Sequence, residues 1–148
     1  MKRFVLLVSM SALAGCASAS HPAAPAPART IEGPPVRSIE VPATAGPGQP
    51  REVAVLVDEP ALKLVRIVLR NGTLLPEHHS PVPVTIQALH GSGLVTAGGQ
   101  QLRLDPTHPL VLAANVPHAV APDPGTDLVL LVHHLGRAAE HHHDEGDH

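Results

Sequence analysis

Asn71-Gly72-Thr73-Leu74-Leu75-Pro76-Glu77-His78-His79-Ser80-Pro81, running on to Gly91, is the stretch whose reading decides the fold of this chain. It opens on Asn-Gly, the pair that most readily adopts the positive-φ turn between two strands. On either side lie short runs rich in Val, Leu and Ile. Residues 53–57 and 62–69 precede it, and 82–89 follow. Gly91-Ser92-Gly93 then leads to 94–96, and Gly98-Gly99 reads as a tight hairpin into 101–104. Residues 110–113, 118–121 and 128–133 complete the series, with Asp123-Pro124-Gly125 as the last turn. No run carries a helical period, and turn signals recur about every eight to ten residues, which predicts a small sandwich or barrel. The expectation is one all-β domain over residues 51–136.

Phe4 is the only aromatic residue of the 148, so the domain must build its core from Val, Leu and Ile. About 90 residues suffice to close one such core. Stacking platforms for sugars or single-stranded nucleic acid need aromatic faces, and the domain has none. Charge excludes the same partner. Without Lys2 and Arg3 the chain has eight Lys and Arg against thirteen Asp and Glu, a formal charge of −5. An acidic domain with no basic stripe is not built for nucleic acid.

The spacing of Gly72, His78 and Gly91 resembles the first conserved motif of the cupins: Gly, five residues, His-x-His, three or four residues, Glu, six residues, Gly. Residues 104–118, with Val116-Pro117-His118, resemble the second. The resemblance covers residues 60–135 and implies a cupin-like β-barrel, that is, a double-stranded β-helix or jelly roll. It also implies one divalent transition metal (Zn, Ni, Cu, Mn or Fe) held inside by three histidines and a glutamate. Here those positions hold His78, Ser80, Val84 and His118, while Thr107, Ala113, Asn115 and Pro122 replace other markers of the second motif. Two of four ligands remain, where a catalytic metal takes about three and an open position. His90 shares the strand parity of His78, and one of His133 and His134 must face inward if the last strand is regular. A metal site is therefore expected at His78 and His118, with His90 or His133 as the third ligand. His79 and Glu77 become candidates if Pro81 and Pro83 shift the register.

The two ends read differently. Met1-Lys2-Arg3 followed by the apolar run 4–13 has the layout of a secretory signal peptide, too short to span a bilayer. Leu13-Ala14-Gly15-Cys16 resembles the lipobox of bacterial lipoproteins, and Cys16 is the chain's sole cysteine. The resemblance implies cleavage after residue 15 and acyl chains, palmitate among them, on Cys16, which would anchor the protein to a membrane. Ala17-Ser18 lacks an aspartate after the cysteine, so the expected place is the outer membrane, facing the periplasm. Residues 16–50, rich in Ala and Pro, are expected to form a disordered or semi-rigid tether. Residues 137–148 are expected to form a flexible His/acidic tail. Its His141, His142, His143 and His148, interleaved with carboxylates, make a chelator suited to Zn²⁺, Ni²⁺ or Cu²⁺.

Three functions stay open at this point. One is a membrane-anchored periplasmic binding protein for a divalent metal, a small molecule or both. Another is a metal-dependent cupin enzyme, of the small-molecule oxygenase or isomerase type, acting through His78 and His118. The last is a degenerate barrel with a structural or interaction role. A homodimer is compatible with all three.

Overall fold

The computed structural model describes residues 31–136, so the leader, Cys16 and the His/acidic tail lie outside the described residues. Nine strands follow in chain order: β1 Arg51–Asp58, β2 Leu62–Leu69, β3 Leu75–His78, β4 Val84–His90, β5 Gly93–Ala97, β6 Gln100–Leu104, β7 Leu110–Leu112, β8 His118–Pro122 and β9 Leu128–Leu135. They form a five-stranded sheet, β1-β2-β9-β4-β7, and a four-stranded sheet, β3-β8-β5-β6, with each of these neighbouring pairs antiparallel. The all-β expectation holds. β3 is the strand that alternation does not announce, because Leu75-Pro76-Glu77-His78 offers a single apolar aliphatic position.

Two inner faces make the core. Because alternate residues of a strand share a face, β2 turns Leu69, Ile67, Val65 and Lys63 inward. These pair in register with Leu128, Leu130, Val132 and His134 of β9. Val84, Ile86 and Ala88 of β4 and Val95 and Val120 of the other sheet join the same buried cluster. Leu69, Leu104, Leu128 and Leu130 are wholly buried, each stabilising the fold by roughly 1.5–3 kcal/mol through area removed from water. The inner rows run from hydrocarbon at the Leu69–Leu128 end to Lys63 and His134 at the other.

Turn chemistry redirects the chain between the sheets. Asn71 and Gly72 both have positive φ, 50° and 72°, and they form no hairpin: they carry the chain from β2 in the five-stranded sheet to β3 in the other. At Gly91, also left-handed, a side chain would run into the Asp127 carbonyl. That position therefore requires glycine on two counts.

The Ala/Pro-rich composition predicts a disordered or semi-rigid tether over residues 16–50, of which 31–50 are described. Residues 31–50 carry no helix or strand, yet they are hydrogen-bonded to the barrel. Arg66, on the outer face of β2, donates to the carbonyls of Pro42 and Thr44, both at 2.8 Å. The buried Arg70 donates to the carbonyls of Ala45, Gly46 and Gln49 and pairs with Glu52 at 2.8 Å. Arg37 pairs with Glu59 at 2.5 Å. Leu64, Val68 and Val129 point outward from the five-stranded sheet and are nonetheless buried, which is why β2 and β9 read as nearly continuous apolar runs. Arginine is suited to this work because its five donors fan out in one plane.

Removing the Arg70 side chain should cost about 2–3 kcal/mol, since a charged donor then leaves several carbonyls behind. Urea unfolding of Arg70→Ala checks this. A loss below about 0.5 kcal/mol, the range of an inert surface change, would contradict the docking of residues 45–49.

Candidate functional site

A cavity of about 700 Å³ opens between the sheets where the inner rows turn polar. Its walls are aliphatic: Val65 and Ile67 of β2, Leu130 and Val132 of β9, Val84 and Ile86 of β4 and Val120 of β8. The five-stranded sheet is one strand wider than its partner. Val53 and Val55 of the edge strand β1 line the cavity while staying about half exposed, at 58% and 52%. The polar members are Asp58, Lys63, His78, His79, Ser80, His118 and His134.

His78 and His118 stand opposite each other in the β3–β8 register, with a shift between Leu75 and His78. Their ring centroids are 4.3 Å apart and the planes are tilted by 55°. On its other side His118 faces Ala97 of β5, whose single methyl leaves room for the ring. The two imidazoles are oriented in the same way. Nδ1 of His78 lies 2.8 Å from the Pro76 carbonyl, and Nδ1 of His118 lies 2.9 Å from that of Val116. A carbonyl only accepts, so in each neutral ring Nδ1 carries the proton and Nε2 keeps its lone pair. Burial pushes the pKa of His118 down, opposed by the Val116 carbonyl and reinforced by His78 and His79.

Ser80, buried, accepts a hydrogen bond at Oγ from the Val82 amide at 3.3 Å. Its carbonyl accepts from the Asn115 amide at 2.7 Å. Asn115 has φ 62°. It stands where the second motif carries glycine, and asparagine is among the few other residues that tolerate this conformation.

The expected third ligands are not at the site. β9 runs regularly, and its inward row of Leu128, Leu130 and Val132 continues to His134. His133 faces outward, with Nδ1 3.0 Å from the Thr85 hydroxyl. Adjacent histidines on a strand cannot both face in, and the register chooses the second. His90 is turned away by an irregularity in β4: Ala88 faces Leu130, but His90 faces Val129, an outward residue. A bulge of this kind reverses the parity beyond it. His90 is accordingly exposed.

His134 is the residue that sequence reasoning left aside. Burial lowers its pKa, as does the Lys63 charge, against a raising hydrogen bond to the Lys63 backbone. Its Nδ1 is buried without a hydrogen-bond partner. The signal was the inward row two, four and six residues earlier, hidden because Val129 and Leu131 make the outward row equally apolar. Lys63 and Asp58, paired across β2 and β1, were likewise legible only through register.

The metal implied by the motif resemblance does not find its ligand set. Among the described residues no three His, Cys, Asp or Glu side chains converge to hold an ion. Ser80 and Val84 occupy two of the motif's ligand positions, and Val84 is packed in the hydrocarbon core at 2% exposure. His78 and His118 alone fall short of the three ligands a catalytic site takes.

No family sequence model matches the chain, and no curated protein sequence does. Solved structures do. An RmlC-like cupin family protein with a double-stranded β-helix fold from Methanocaldococcus jannaschii superposes with a TM-score of 0.59 at 19% identity, covering 71% of this chain and 94% of that one. A cupin superfamily protein from Desulfitobacterium hafniense gives 0.54 at 19% identity, covering 64% and 83%. A predicted oxalate decarboxylase from Thermotoga maritima gives 0.53 at 20% identity, covering 58% and 80%. The fold is therefore that of the cupins, a jelly roll of two facing antiparallel sheets, as the Gly72–Gly91 spacing implies.

His118 and His134 both titrate below the usual histidine value of about 6.5, so the unfolded chain takes up their protons first on acidification. The stability they contribute is complete above that value and is lost as pH falls through their depressed folded values. Thermal melting of the full chain should drop between pH 7 and pH 5, and a His118→Leu/His134→Leu double variant should drop less. An equal drop in both proteins would contradict this account of the pair.

Proposed function

We propose that this chain is an envelope-anchored binding protein whose barrel takes up a small molecule. The observation that carries the reading is the cavity itself. A volume of about 700 Å³ is in the range that encloses a small organic ligand, roughly 300–1,000 Å³. Aliphatic walls with a few convergent polar groups at one end are the usual chemistry of such sites. The lining offers one carboxylate, Asp58, in register with Lys63, and so no carboxylate pair for acid–base work. Binding is what the geometry supports best.

The lipobox-like Leu13-Ala14-Gly15-Cys16 supports attachment of the mature chain through acylated Cys16, at the outer membrane facing the periplasm. The tail, with His141, His142, His143 and His148 among carboxylates, is proposed as the place where a divalent metal binds.

Val55 lines the mouth and is half exposed, so Val55→Trp should fill the entrance without disturbing the core. The full chain should bind N-phenyl-1-naphthylamine with a rise in fluorescence. The variant should weaken that binding at least about fivefold, a modest steric penalty on the affinity scale, with an unchanged melting temperature. Absence of probe binding, or binding indifferent to Val55→Trp, would refute the cavity as the site. For the anchor, Cys16→Ser should move the protein from the membrane fraction to the soluble fraction. Unchanged partitioning would refute lipidation.

A further inference from the structure

The polar end of the cavity has a donor–acceptor pattern that selects one class of head group. Resting on the reading of the cavity as a small-molecule site, we infer that its ligand is an uncharged aliphatic molecule carrying a hydroxyl. The hydroxyl is read by Nε2 of His78 and His118 together with the Ser80 hydroxyl. The two imidazoles have committed their Nδ1 protons to the Pro76 and Val116 carbonyls. Each neutral ring therefore offers the cavity an acceptor and no donor. Ser80 Oγ already accepts from the Val82 amide, which leaves its O–H available to donate.

A group that meets two acceptors and one donor must both donate and accept. A hydroxyl does so. An ether or ester oxygen cannot donate, and an ammonium cannot accept. A carboxylate cannot donate either, and it would place its charge against two lone pairs.

Charge balance points the same way. The lining carries one Lys and one Asp, and these face each other in the β1–β2 register. Burial keeps His118 and His134 on the neutral side of their usual range. The cavity thus holds no unbalanced charge to offset the desolvation of an ionic ligand. The body of the ligand follows from the walls. With no Phe, Tyr or Trp in the domain, the walls offer no stacking partner, so apolar contact alone holds a ligand body, whether an apolar reporter or a saturated or branched alkyl chain. Mutual proximity of the two rings, at 4.3 Å between centroids, lets a single oxygen address both.

Displacement of N-phenyl-1-naphthylamine from the full chain tests this with three competitors of matched length: 1-octanol, its methyl ether and octanoate. Octanol should displace the probe at about tenfold lower concentration than either other compound, the worth of one or two net hydrogen bonds. The preference should collapse to near equality in His118→Leu and, should that buried substitution disturb folding, in the exposed His78→Leu. Ether or octanoate displacing as well as octanol would overturn the hydroxyl assignment while leaving the cavity a binding site. A preference that persists undiminished in a folded His78→Leu or His118→Leu would overturn the role given to the histidines. Failure of the probe to bind at all would instead sink the cavity reading, and the hydroxyl assignment with it.

Discussion

Everything in this molecule depends on two facing sheets having to close a core with aliphatic side chains alone. At one end they succeed: Leu69, Leu104, Leu128 and Leu130 are sealed from water. Toward the other end the inner rows of β2, β9 and β8 turn polar, while those of β4 and β5 stay apolar. β2 ends on Lys63, β9 on His134 and β8 on His118, while β3 contributes His78. Hydrocarbon packing stops where those residues begin, and the cavity is the space that results. An aromatic side chain on any of these rows would fill much of it, since each such ring carries some 150–250 Å² of surface. The composition and the cavity are thus two views of one constraint.

A second set of contacts supports the first. The five-stranded sheet would present Leu64, Val68 and Val129 to water on its outer side, but residues 31–50 cover that face, held by Arg66 and Arg70 through carbonyl oxygens. Backbone carbonyls satisfied by guanidinium groups let an irregular, proline-rich segment pack closely without strand pairing. The folded unit therefore begins well before β1. Its cover strengthens β2 and β9, the two strands that carry Lys63 and His134 into the cavity.

Much of this was legible in the sequence, and the misses have particular causes. The run 62–69 read as a strand and is one to the residue, because Asp58-Glu59-Pro60 stands before it and Asn71-Gly72 after it. β3 went unread since Pro76 and Glu77 break any alternation, although the spacing from Gly72 placed His78 correctly. His90 failed through a bulge that no residue pattern marks. The choice between His133 and His134 required knowing which face of β9 looks inward. With Leu128 to Val132 apolar on both faces, only pairing with Lys63 decides it. The docking of residues 31–50 went unread because Ile39, Val41 and Ala45, which are partly buried, are too sparse to signal a docked segment.

The motif positions taken by Ser80 and Val84 separate a pocket for organic ligands from a metal centre. Zinc stoichiometry by equilibrium dialysis, comparing the full chain with one ending at Arg137, tests that separation most directly. The account predicts that zinc binding disappears with residues 138–148, while the shortened chain still binds N-phenyl-1-naphthylamine. One equivalent of zinc retained by the shortened chain and lost on His118→Ala would contradict it, and would make the barrel a metal centre after all.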